Sequence, residues 1–177
     1  TREVLLVWTG SPAVAAGAWE AGALLTVGSM ALAVQVVPYH LALAHGWVRL
    51  NLALIAVSLA LAVPLLVLLV GARGAAGAAF AWLLLNVVGT GPYVVLLHRR
   101  LLPGETRRWL VSDLLRPLAA AAVCVAVARV VYPADPSRPL GAALLGVTVV
   151  AAMVAAALSS PDVLRYLRSG PPAVEEP

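Results

Sequence analysis

Charge is what this sequence has least of. Asp, Glu, Lys and Arg make up 11% of its 177 residues and hydrophobic residues 62%, against about 25% and 45 to 50% in a soluble globular domain. There is too little polar surface to coat a particle facing water, so the solvent implied is a lipid bilayer. Helices can span lipid because each satisfies its own N–H and C=O groups. The ten-residue alternating strands of a membrane β-barrel are not visible.

Lysine is absent altogether, so the formal charge of +4 comes from arginine alone. The arginines lie between apolar runs and form no patch interleaved with aromatics, which argues against nucleic acid as a partner. An Arg-rich, Lys-free vocabulary is the mark of a GC-rich coding sequence and says nothing of activity. Cysteine occurs once, as Cys124 inside an apolar run; it excludes an intrachain disulfide and reads as a small packing residue. No paired-carboxylate motif, nucleophile elbow or phosphate-binding glycine loop is present. The sequence therefore predicts no enzyme, no cofactor and no metal site. His40 and His45 are five residues apart, a spacing that does not put two imidazoles on one helix face; with His98 they read as interfacial residues.

What is present is five apolar runs: Ala21 to Ala44, Val48 to Val70, Ala75 to Leu97, Leu114 to Tyr132 and Leu140 to Leu158. At 1.5 Å per residue each can cross a hydrocarbon core of about 30 Å, predicting an all-α integral membrane fold of five transmembrane helices over residues 21–158. Residues 1–20 read as the end of a preceding helix, broken by Gly10, Ser11 and Pro12, and an outer loop. Residues 159–177 read as an amphipathic interfacial segment, Pro161 to Arg168, and a disordered tail, PPAVEEP. The start at Thr1, without an identifiable signal peptide, suggests a piece of a longer chain. Short cytoplasmic loops accumulate arginine. Arg49, Arg99, Arg100, Arg107, Arg108, Arg116, Arg165 and Arg168 fall on one side, and Arg2, Arg73, Arg129 and Arg138 on the other. The first set is expected inside, which makes the C-terminus cytoplasmic. Trp47, Tyr93, Trp109, Tyr132 and Tyr166 are expected near the interfaces, and Ser112 with Asp113 is expected to cap the fourth helix.

A helix ending in PYHLALAHG, a turn with Arg49, a second helix, GARGAAGAAFAWLLLN entering a third and HRRLLPGETRRW before a fourth together resemble the C-terminal half of bacterial polysaccharide flippases. These are the lipid-linked oligosaccharide, O-antigen type members of the multidrug, oligosaccharidyl-lipid and polysaccharide exporter superfamily. LLVWTG near the N-terminus is similar to that family's segment before its eighth helix. The resemblance implies helices eight to twelve of a twelve-helix transporter in the bacterial inner (plasma) membrane. It also implies a lipid-linked glycan as substrate, and as partners the surrounding lipid and the missing N-terminal helices of the same transporter.

Several residues could carry such a role. Trp82, Asn86, Gly89, Thr90 and Tyr93 recur at spacings of three and four and so share one helix face; they either line a hydrophilic route or bond to a neighbouring helix. Asn51 and Ser58 make a weaker stripe, while Gln35 looks like isolated packing glue. Arg116 and Arg129 are the charges nearest membrane depth and read either as ligands for the cargo's pyrophosphate or as side chains snorkelling to the interfaces. Pro38 and Pro64 remove helical hydrogen bonds and are hinge candidates. The function expected is flipping of a polysaccharide precursor by alternating access; the alternative is an integral-membrane enzyme or noncatalytic scaffold of envelope polysaccharide assembly.

Overall fold

Four helical stretches are long and apolar enough to cross a membrane: Pro12–Ala44, Val48–Leu101, Thr106–Val131 and Arg138–Ser159. The chain is a multi-pass membrane protein, and its computed structural model describes residues 2–133 and 137–169. Every regular element among these is helical: α1 (Arg2–Thr9), α2 (Pro12–Ala44), α3 (Val48–Leu101), α4 (Thr106–Arg108), a π-helix π1 (Trp109–Leu115), α5 (Arg116–Val131), α6 (Arg138–Ser159) and α7 (Pro161–Ser169). The expected disordered tail lies outside the described residues. Contacts divide the chain into two units, which part after Gly104.

In the first unit the loop expected over residues 12–20 is helix. Gly10, at φ 69°, ends α1, and Ser11 then starts α2 at once: its extended backbone and its Oγ, accepting from the Val14 N–H at 3.3 Å, form an N-cap. Pro12 follows at the first helical position, where its missing N–H is no loss. The same three residues that break one helix therefore begin the next. Helix α2 runs on through Pro38, which is buried, to Ala44.

Helix α3 has 54 residues, which would make it about 81 Å long if straight, more than twice a hydrocarbon core. It is interrupted at Gly74, whose φ of 56° and ψ of −133° lie outside the helical region. The two arms, α3a (48–73) and α3b (75–101), fold back on each other there. A Cβ at Gly77 would collide with the backbone carbonyl of Leu69, and at the far end Tyr93 reaches Asn51. The reversal expected between Val70 and Ala75 is thus made by one glycine. Pro64 and Pro92 both lie inside α3.

Packing of α2 on α3b depends on another glycine. A Cβ at Gly28 would stand 2.6 Å from Cδ1 of Trp82 and 3.1 Å from the Cα of Leu83, so only a hydrogen at this position lets the two helices approach so closely. Where the same helices meet the turn at residues 45–47, Ala42, Tyr93 and Leu97 form a buried cluster with Tyr39, Trp47 and Leu54 against it.

The second unit departs from expectation at its start. Ser112 and Asp113 do not cap a helix, because helical structure already begins at Thr106 and passes through π1 without a break. The apolar set Leu110, Val111, Leu114 and Leu115 extends the span toward its N-terminus. Helix α5 packs on α6, with Cys124 Sγ 3.9 Å from the Ala151 carbonyl. Helix α7 occupies the expected amphipathic segment, with Arg165 donating to Asp162 at 3.2 Å.

Candidate functional site

A cavity of about 530 Å³ lies inside the first unit, between α2 and the two arms of α3. Its volume falls in the range of about 300 to 1,000 Å³ usual for small-ligand sites. Each wall is one stripe of a helix. Helix α2 contributes Leu32, Gln35, Val36, Tyr39 and His40; α3a contributes Asn51, Leu54, Ile55, Ser58 and Leu59; α3b contributes Trp82, Leu85, Asn86, Gly89 and Tyr93. Steps of three and four within each set are what a single helical face requires. The folding back of α3 at Gly74 is what turns two of these stripes toward each other.

The wall is mostly aliphatic and aromatic, with one amide side chain from each helical segment: Gln35, Asn51 and Asn86. No Asp, Glu, Lys or Arg is among the lining residues. Val36, Ile55 and Leu59 are exposed and form an apolar rim.

Asn51 is the most enclosed of the three amides, with 4% of its surface exposed. The Tyr93 hydroxyl donates to its Oδ1 at 2.8 Å. Its Nδ2 is closed to solvent and has no hydrogen-bond partner among the described residues, and a desolvated donor left in that state costs about 1 to 3 kcal/mol. Asn86 is arranged the other way round. Its Nδ2 donates to the Trp82 carbonyl at 2.8 Å, which leaves its oxygen as an acceptor on the cavity wall.

The polar stripe of the third apolar run does both things the sequence allowed. Trp82, Asn86 and Tyr93 line the cavity, whereas Thr90 is buried and turned to helix packing, donating to the Ala31 carbonyl at 3.1 Å and lying 3.5 Å from Gln35 Oε1. Asn51 and Ser58 join the wall from α3a. Gln35 is not isolated, since it faces the cavity from α2; its partners sit on other helices, where no spacing along the chain reveals them. Tyr93, expected near an interface, is 3% exposed within the helical cluster. Of the histidines, His40 lines the cavity, His45 contacts the Leu41 carbonyl through Nδ1 at 2.9 Å, and His98 is buried with Nδ1 2.9 Å from the Val94 carbonyl. Arg116 and Arg129 belong to the second unit and are exposed there. Neither Pro38 nor Pro64 lines the cavity.

Compared with protein-family models, curated proteins and solved structures, the chain matches none of them.

Proposed function

We propose that the chain is part of a membrane transporter that moves a lipid-linked glycan between leaflets of a bacterial inner membrane, and that the cavity between α2 and the arms of α3 receives part of that cargo. The observation that carries this reading is the cavity itself: three amides and three aromatic rings gathered on inward stripes of otherwise apolar helices. A membrane protein with no polar task has little reason to place amides there, because burying them without partners is unfavourable. No bond is made or broken in this reading; the protein supplies a polar step within an apolar layer.

The arms of α3 count as separate crossings in this proposal, giving five spans with Arg99, Arg100, Arg107 and Arg108 on the cytoplasmic side. The resemblance to polysaccharide flippases supplies the rest: a longer parent protein with a second bundle, alternating access between them, and a cytoplasmic C-terminus. The test is leaflet translocation. The parent protein, reconstituted in vesicles with a fluorescent polyprenyl-linked glycan, is expected to expose the label to an impermeant quencher, and Asn86→Leu and Trp82→Ala to slow that exposure. Translocation at the rate of protein-free vesicles would sink the proposal; covalent turnover of the glycolipid in its place would favour an enzyme of envelope assembly.

A further inference from the structure

We infer that the end of the first unit where α2 turns into α3a is a docking surface for anionic phospholipid, held through Arg49, Arg99 and Arg100. This goes beyond the transport reading and needs only that the helices cross a bilayer. One set of contacts brings the three arginines together. Trp47 in the turn and Leu101 at the close of α3b pack on the same cluster of Ala42, Tyr93 and Leu97, and Tyr93 bonds to Asn51 near the start of α3a. Arg49, Arg99 and Arg100 therefore share one end of the helices, and all three are exposed there.

Their charge is unanswered within the unit. Among the described residues none of the three guanidinium groups has a hydrogen bond or ion pair. The acidic residues of the first unit are Glu3 and Glu20. Glu20 lies about 36 Å of helix before Ala44 and Glu3 lies in α1, well past the roughly 10 Å over which exposed charges still act in salt. The second unit treats its arginines differently: Glu105 stands 3.9 Å from Arg108, and Asp162 3.2 Å from Arg165. An unanswered guanidinium is a strong partner for phosphate, which takes two of its N–H donors at once.

The surface beside the arginines favours a lipid over a soluble anion. Leu52 lies three residues into α3a from Arg49, and Val95 four residues back along α3b from Arg99, spacings that put each on its arginine's face. Both are exposed. Arg49 and Arg99 thus each stand over an apolar side chain on the side of the membrane interior, so a headgroup and an acyl chain can be met together. An acidic protein segment would answer the charge and leave Leu52 and Val95 uncovered. Trp47, half-buried beside them, has the amphipathic ring that suits headgroup depth.

The full chain carrying Trp8→Phe, Trp19→Phe, Trp82→Phe and Trp109→Phe, so that Trp47 alone fluoresces, is reconstituted in phosphatidylcholine vesicles. Brominated phosphatidylglycerol and brominated phosphatidylcholine are then compared as quenchers of Trp47. Phosphatidylglycerol is expected to occupy the sites beside Trp47 about fivefold more readily, the scale of one arginine at an anionic surface; equal quenching overturns the inference. Arg49→Gln, Arg99→Gln and Arg100→Gln together should abolish the preference, whereas Arg107→Gln with Arg108→Gln should leave it unchanged. A preference that survives the triple change, or that is lost with the double change, overturns the inference. If the chain with four phenylalanines does not fold, spin-labelled forms of the two lipids report the same preference on the unmodified chain and its arginine variants, as the ratio of their immobilised fractions. Inorganic phosphate and polyglutamate, at ionic strength held constant with chloride, should leave the preference in place. Its removal by either would mark this end as a site for a soluble anion or an acidic protein and overturn the inference.

Discussion

The Tyr93 hydroxyl donates to Oδ1 of Asn51 at 2.8 Å, joining α3b to α3a across 42 residues of sequence. Both side chains are buried, so the bond is shielded from water and fastens the end of the hairpin opposite Gly74. Tyr93→Phe leaves the Asn51 oxygen as well as its nitrogen unpaired and should destabilise the protein by about 1 to 3 kcal/mol. Asn51→Leu combined with Tyr93→Phe removes every polar atom involved and should recover most of that loss. Thermal unfolding of the four proteins in detergent micelles, read as a double-mutant cycle, checks this. Additive losses would mean that the bond does not form.

At Gly28 the structure predicts an effect of a single methyl group. Gly28→Ala drives a carbon into the Trp82 ring and the Leu83 backbone, and overpacking of this kind typically costs about 1 to 3 kcal/mol. Gly17 lies in the same helix, and a methyl group added there would meet nothing within 4 Å, so Gly17→Ala should be neutral or stabilising by up to about 1 kcal/mol. Melting temperatures moving in opposite directions for the two variants are the expected result.

Gly74 should tolerate no side chain. Its φ of 56° with ψ of −133° belongs to backbone space reserved for glycine, and a Cβ there costs on the order of 1 to 3 kcal/mol. Gly74→Ala is expected to loosen the hairpin, read as a broadened distance distribution between spin labels on the exposed residues Leu59 and Val88. Gly71→Ala, at a helical position with open space around it, should leave that distribution unchanged.

The arginine asymmetry makes a prediction about sidedness. In a Cys124→Ala background, Arg107→Cys in intact cells should react with a permeant maleimide but not with an impermeant one, whereas Arg73→Cys should react with both. The reverse pattern would invert the proposed orientation.

The apolar helices and the shared face of the third apolar run were legible because helical periodicity is local: Trp82, Asn86 and Tyr93 announce that face by their spacing alone. The reversal near residues 71–74 was legible for a similar reason, since clustered glycines mark a break. What was not legible depends on residues far away in the chain. Nothing around Asn51 indicates that its partner is Tyr93, and Gly28 looks like any other helical glycine until Trp82 is placed opposite it. Gln35 looked solitary because its neighbours at one-turn spacing, Leu32 and Tyr39, are not amides, while its companions come from α3. The helix start at Ser11 and Pro12 was open to reading, because a cap residue followed by proline signals a beginning as well as an end. The π-helix left no comparable mark in the sequence.

That π-helix fixes an angular offset within the second unit. A wider turn changes the phase at which α5 leaves α4, and phase decides which side chains of α5 meet α6. Cys124 meets the Ala151 carbonyl with this offset in place. Removing one residue from π1 would turn everything on one side of it by about 100° relative to the other. If α5 held its seat on α6, Arg107 and Arg108 would be swung a quarter of the way around the axis, so this irregular turn sets the compass bearing of the two guanidinium groups.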